Sequence, residues 1–211
     1  MNIFNKQKNT NGGFTIIEAL VAIFILSISV ASMLGVTATS ASFARYANNE
    51  ITANYLAQEA IDSIRNSRDT IAFQQKGDYA DGLAWRAFLN RYGYRDGANS
   101  DRCFDATKGC YLKMESYDPT NIDYAGGSDV IGCLAEGCPI LKFDSVLTGS
   151  SLFYNYSSGT DSIFSRKVYM TIDPAKEYEV KVRVVVEWNN GNGITNNSSR
   201  SLEVYLLNWA N

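Results

Sequence analysis

From Phe14 to Val36 the chain reads FTIIEALVAIFILSISVASMLGV, 23 residues with one charged side chain, Glu18. Wound as an α-helix at 1.5 Å per residue, such a run spans roughly 35 Å, enough for a hydrocarbon core of about 30 Å. The preceding residues 1–13 are polar and carry Lys6 and Lys8 with no acid, whereas only Arg45 follows the run closely. Basic flanks stay cytoplasmic, so the N-terminus is expected inside and the remaining chain outside the cytoplasm.

Three kinds of N-terminal segment compete for this pattern. A secretory signal has an apolar stretch of about 7–15 residues followed by a small-residue cleavage site. Val36-Thr37-Ala38 offers such a site, but the apolar run before it is too long. A plain signal anchor accounts for the length and leaves Glu18 unexplained. An ionised carboxylate inside an apolar run costs on the order of a few kcal/mol unless a partner meets it, so Glu18 reads as functional.

Gly13-Phe14-Thr15-Ile16-Ile17-Glu18 resembles the class III signal of type IV prepilins and type II secretion pseudopilins. The resemblance implies cleavage between Gly13 and Phe14 by prepilin peptidase, a membrane aspartyl enzyme, and N-methylation of the new Phe14 amine. It also implies that Glu18 is the assembly acid. Residues 1–13 then form a leader peptide and 14–36 a transmembrane helix that becomes the filament core. Implied partners are other pilin subunits, the prepilin peptidase, an inner-membrane assembly platform, and membrane lipid before assembly. The implied location is a single-pass inner (cytoplasmic) membrane protein with an extracytoplasmic C-terminus, and later an extracellular or periplasmic filament. Cleavage places a cationic amine one helical turn from Glu18. In an axially staggered bundle, Glu18 of one subunit meets the Phe14 amine of a neighbour. That desolvated pair sets register, while apolar helix faces supply most of the cohesion.

No proline interrupts the continuation through residues 37–75. Ile51, Tyr55, Ala57, Ala60, Ile64 and Ile71 recur at three- to four-residue steps with one longer gap, and Asn48, Asn49, Glu59, Asp62, Arg65 and Arg68 lie between them. The pattern predicts an amphipathic helix laid on a globular head, continuous from Phe14 to about Phe73. Many relatives carry a helix-breaking proline midway through the anchor, where this chain has Gly35. YLAQEAIDSIRNSRD, with the C-terminal strand pattern, is similar to minor pilins and pseudopilins of the PilV and GspI kind.

Residues 76–211 form the predicted head. A short helix is expected at Leu83–Tyr92, capped by Asp81 and ended by Gly93, within an otherwise irregular stretch over 77–145. Lys167–Ile172, Tyr178–Trp188 and Arg200–Trp209 read as three strands. In the middle strand Val180, Val182, Val184 and Val186 share one face, with Lys181, Arg183 and Glu187 on the other. Neighbouring strands make a meander, so the class is α+β: a long N-terminal helix, half transmembrane and half amphipathic, on a C-terminal antiparallel sheet. Cys103, Cys110, Cys133 and Cys138, separated by six, twenty-two and four residues, suit two disulfides in an exported head. Three connectivities are open, and the two local loops are the simplest. A four-cysteine zinc site is the competing reading, although neither local pair has the usual tight spacer.

The chain has no histidine, which removes Ser–His and Cys–His catalysis and the commonest zinc ligand. No nucleophile elbow or phosphate loop is present, so neither an enzyme nor a cofactor is expected. A net charge of −3 argues against a general nucleic-acid binder. Trp85-Arg86, Arg91-Tyr92 and Tyr94-Arg95 do interleave cations with aromatics as single-strand binders do, but a core-facing helix with solvated arginines explains them more plainly. Asp118, Asp123 and Asp129 suit calcium by type, yet their spacing matches no EF-hand and a solvated turn is the plainer reading. Asn155 and Asn196 begin glycosylation sequons. The expected function is that of a structural subunit, a minor pilin of a type IV pilus. The alternatives are a type II secretion pseudopilin and a pilus-tip adhesin or DNA-binding subunit.

Overall fold

A computed structural model describes residues 13–75, 82–95, 101–116, 129–145, 154–189 and 197–209. The chain divides into two units, Met1–Ala47 and Asn48–Asn211. Helix α1, Ile16–Gln74, contributes to both. It starts two residues later than expected because Thr15 stands at the cap, its carbonyl and hydroxyl oxygens both accepting the Glu18 N–H, at 3.1 and 3.4 Å.

In the first unit no described side chain of residues 13–47 is buried. The hydroxyls of Ser27, Ser29, Ser32, Thr37 and Thr39 bond back to their own helix. Ser27 donates to the Ile23 carbonyl at 2.7 Å, Ser29 to Ile25 at 2.8 Å, and Thr39 to Val36 at 2.9 Å. Their polarity is thus satisfied internally, which keeps the run compatible with hydrocarbon. The helix passes through Gly35 without a break.

In the second unit α1 turns Ala53, Ala57, Ala60, Ile64 and Ile71 into the core, together with Leu56 and Ile61. Two members of the expected stripe, Ile51 and Tyr55, are instead 52% and 68% exposed. The ladder 53, 57, 60, 64, 67, 71 holds the strict helical step, and the gap after Ile64 is filled by buried Ser67. Small alanines let the helix approach the sheet closely, whereas Ile51 and Tyr55 lie off that line.

Helix α2, Leu83–Arg91, buries Ala84, Trp85, Phe88 and Leu89. Its N-cap is Gly82, with φ 65° and no side-chain cap, rather than Asp81, which lies outside the described residues. Gly93 ends it as expected. With φ 98°, its N–H reaches the Asn90 carbonyl and the Tyr94 N–H reaches that of Leu89, the paired closure of a Schellman motif.

Seven antiparallel strands form one sheet among the described residues: β1 Cys110–Leu112, β2 Val130–Gly132, β3 Ile140–Phe143, β4 Tyr154–Asn155, β5 Thr160–Ile172, β6 Glu179–Asn189 and β7 Asn197–Leu207. The last three are the expected meander, with Phe164 opposite Trp188 and Ile172 opposite Val180, then Val180 opposite Leu206. Val180, Val182, Val184 and Val186 are fully buried, and Lys181, Arg183 and Glu187 lie on the other face. The stretch read as irregular, 77–145, supplies three strands besides α2. β1 and β3 share the second edge of β5, with Cys110 opposite Val168 and Ile140 opposite Ser165. At three and four residues these strands are too short to carry a visible alternation.

The inward row of β5 is Phe164, Arg166, Val168 and Met170. Arg166 is 1% exposed, and its Nη1 donates to the Leu56 carbonyl at 3.0 Å and to Glu59 Oε2 at 2.8 Å. One guanidinium thereby ties the central strand to α1. Burial pushes the pKa of the adjacent Tyr156 hydroxyl up, against a smaller opposing effect of the Arg166 charge. Arg166→Ala should lower unfolding stability by about 3–5 kcal/mol, because it both strands the helix-side acceptors and empties the buried space of the side chain, whereas Arg166→Met, which strands the same acceptors but fills most of that space, should lose distinctly less. Urea unfolding of the detergent-solubilised full chain measures both. Equal losses would show that the lost polar contacts, and not the side-chain volume, set the cost there.

Candidate processing and assembly site

Gly13, Phe14 and Thr15 precede the helix in non-helical, exposed backbone. A side chain at Gly13 would meet nothing within 4 Å, so the fold itself sets no demand for glycine there. Phe14 is 74% exposed. Glu18 occupies the third helical position behind Thr15, the order Thr-x-x-Glu of a capping box, although only the Thr15 half of that exchange is formed. The positive end of the helix dipole favours a carboxylate in this first turn. The Thr15 cap was not part of the sequence-based expectation, and its signal was the threonine three residues before the acid. Glu18, exposed in the single chain, therefore has a local electrostatic reason for its position, separate from the expected intersubunit one.

Residues 8–34 match the prokaryotic N-terminal methylation motif. The chain carries the type IV pilin and pseudopilin signal. The match covers that signal and its apolar helix and not the head, and no match supports the finer PilV and GspI resemblance. No curated protein and no solved structure matches the chain. A pilin-type signal followed by one long apolar helix fits a membrane-anchored subunit, and the motif points to a structural role rather than catalysis.

The pilin-like chain's other candidate residues lie in its head. Cys103 is bonded to Cys110 and Cys133 to Cys138, with Cα separations of 4.6 and 4.7 Å, so no thiol is left for zinc. The two loops meet on the β1–β2 pair, where the Cys133 N–H donates to the Gly109 carbonyl at 3.0 Å. Closing each short loop contributes about 2 kcal/mol in the chain-entropy account. Among the described residues no group of three acids or cysteines is placed to hold a metal ion. Asp129 forms an ion pair with buried Arg91, while Asp118 and Asp123 lie outside the described residues.

The cation–aromatic run is taken apart by the fold. Trp85 and Tyr92 are core residues, Arg91 is held by Asp129, and Arg95 faces Asp101 at 3.8 Å. The sequon residue Asn155 is buried, its Oδ1 accepting the Ser157 and Ser158 N–H groups at 2.9 and 2.8 Å, which closes it to glycosylation in the folded head. Asn196 lies outside the described residues.

Asp105 organises the first disulfide loop. Its Oδ1 accepts the Thr107 hydroxyl at 2.6 Å and the Thr107 and Lys108 N–H groups at 2.9 and 3.1 Å. These bonds, the Thr107 hydroxyl foremost, lower its pKa from 3.8 to about 2. A lowered folded-state pKa stabilises above the unfolded value and loses that effect as pH falls through the folded one. The loop should therefore hold at pH 3 and loosen near pH 2, read by NMR titration of the Asp105 carboxyl carbon. A midpoint near the ordinary value of 3.8 would mean that the turn is not formed.

Proposed function

We propose that this chain is a minor pilin of a type IV pilus, cut by prepilin peptidase between Gly13 and Phe14 and methylated on the Phe14 amine. Its N-terminal helix holds it in the inner membrane, with the head on the extracytoplasmic side, until an assembly platform packs it among other pilin subunits. The observation that carries the reading is the methylation motif at residues 8–34, set on a helix with no buried described side chain over residues 13–47. Such a surface calls first for lipid and then for neighbouring helices. The glycine at position 13, undemanded by the fold, fits a peptidase that needs a small residue before the cut. A type II secretion pseudopilin shares the same signal. Neighbouring genes separate the two machines, a retraction ATPase marking the pilus and a secretin-linked operon the secretion system.

Processing is tested by mass spectrometry of the membrane-extracted protein. The wild type should begin at N-methylated Phe14, and Gly13→Val should retain the uncut leader. A mature terminus near Thr39 would mark an ordinary secretory signal and end the reading.

Glu18 is tested by the ratio of cleaved protein in the membrane to protein in sheared filaments. Glu18→Val should be inserted and cut, yet fail to assemble, because a neighbour's buried amine loses its partner at a cost of roughly 3–5 kcal/mol. Glu18→Gln keeps the side chain's size and hydrogen-bonding capacity and removes only its charge. A requirement for the charge predicts failure to assemble, and a requirement for polarity alone predicts normal assembly. Filaments of Glu18→Val at wild-type yield would exclude Glu18 as a register residue.

A further inference from the structure

Within the head, α2, the β5–β6 connection and the segment after β7 converge on an open cleft of about 460 Å³. That volume falls in the range of small-molecule sites, roughly 300–1,000 Å³. Two hydrogen bonds cross-tie its walls. Trp85 Nε1 donates to the Glu177 carbonyl at 2.8 Å, and the Asn208 backbone N–H donates to the Tyr178 carbonyl at 2.8 Å. The three segments are thereby fixed around the opening before any ligand arrives, which reduces the ordering cost of binding.

The lining combines flat rings with a few polar groups. Tyr178 is 54% exposed, and Tyr94 is braced by the Phe104 ring at 5.2 Å. Leu89 and Ile172 supply aliphatic surface, while Asn208 and Arg86 supply hydrogen-bonding groups. Trp209 follows Asn208 and is itself held in place, its ring edge-on to Phe73 at 6.1 Å and its Nε1 donating to Asp69 at 3.1 Å.

Charge narrows the ligand class. Arg86 and Glu177 on the lining are opposite in sign, and the nearby Arg91 and Arg95 face Asp129 and Asp101. A phosphodiester needs an excess of cations that this balance does not supply. A sugar ring needs none. Its C–H face is apolar and gains by covering an aromatic face, and its hydroxyls accept from a guanidinium and exchange bonds with a carboxamide. We propose that this cleft binds a neutral carbohydrate, with Tyr178 stacking on a sugar ring and Asn208 and Arg86 bonding its hydroxyls.

The test uses the full chain in lauryl dimethylamine oxide, a detergent without a sugar headgroup. Maltohexaose, cellohexaose and chitohexaose are titrated as neutral probes, with a heparin hexasaccharide and an oligothymidylate as acidic ones, and tryptophan fluorescence and saturation-transfer NMR are recorded. At least one neutral probe should bind saturably at millimolar concentration or below. Tyr178→Ala and Asn208→Ala should each weaken it about tenfold, the loss expected for truncating a central contact. Tyr178→Phe should keep most of the affinity, and Tyr205→Ala, an exposed tyrosine outside the cleft, should leave it unchanged. Absence of saturable neutral binding, indifference to Tyr178→Ala, or tighter binding of either acidic probe would overturn the proposal.

Discussion

The head depends on one seam, the alanine-lined face of α1 against the apolar side of β5 and β6. Ala53, Ala57 and Ala60 bring little bulk of their own, so the fully buried valines of β6 and the ring of Trp188 fill the space. Apolar burial of this kind is non-directional and does not by itself choose a register along the helix. Arg166 does, since its guanidinium must find both the Leu56 carbonyl and the Glu59 carboxylate. The ion pair between Glu50 and Arg200 repeats the device nearer the start of the same helical segment. Directional polar contacts thus align two surfaces that hydrophobicity only holds together.

The two units solve opposite problems with the same helix. Over residues 48–74 one face is apolar and the rest polar, the pattern of a helix covered on one side by its own head. Over Phe14–Val36 the apolar residues run all round, and large side chains such as Phe24 and Leu34 are exposed at 66% each. A chain cannot leave that much apolar surface in water. The hydroxyls folded back onto their own carbonyls show how serine and threonine are accommodated in such a stretch without unsatisfied donors.

Legibility in the sequence followed the length of each pattern. The N-terminal run, the signal around Gly13 and Glu18, and the valine alternation of β6 all stand out because many residues repeat one rule. The start of β5 did not, because Arg166 sits in its inward row and breaks the alternation that Phe164, Val168 and Met170 would have shown. A buried arginine looks like a strand end until its partners on α1 are known. Ser67 hid in the same way, as a polar letter inside an apolar ladder. β1 to β4 are too short to leave a periodic trace, and their pairing is set by tertiary contact with β5. Tyr178, Asn208 and Arg86 come from distant parts of the chain, so no local motif announces their cleft.

Both disulfides close loops between near neighbours, seven and five positions apart. Neither bond links α1 to the sheet, and neither crosses from β5 to β7. Pulled by its C-terminal strand against a held N-terminal helix, the head would therefore meet no covalent stop along most of its length. The bridges shorten the fully stretched chain only by their own small loops, at about 3.3–3.6 Å per residue withheld. Resistance to tension rests on the α1 seam and on the β5–β6–β7 ladder. A subunit built this way is stapled locally yet remains extensible as a whole.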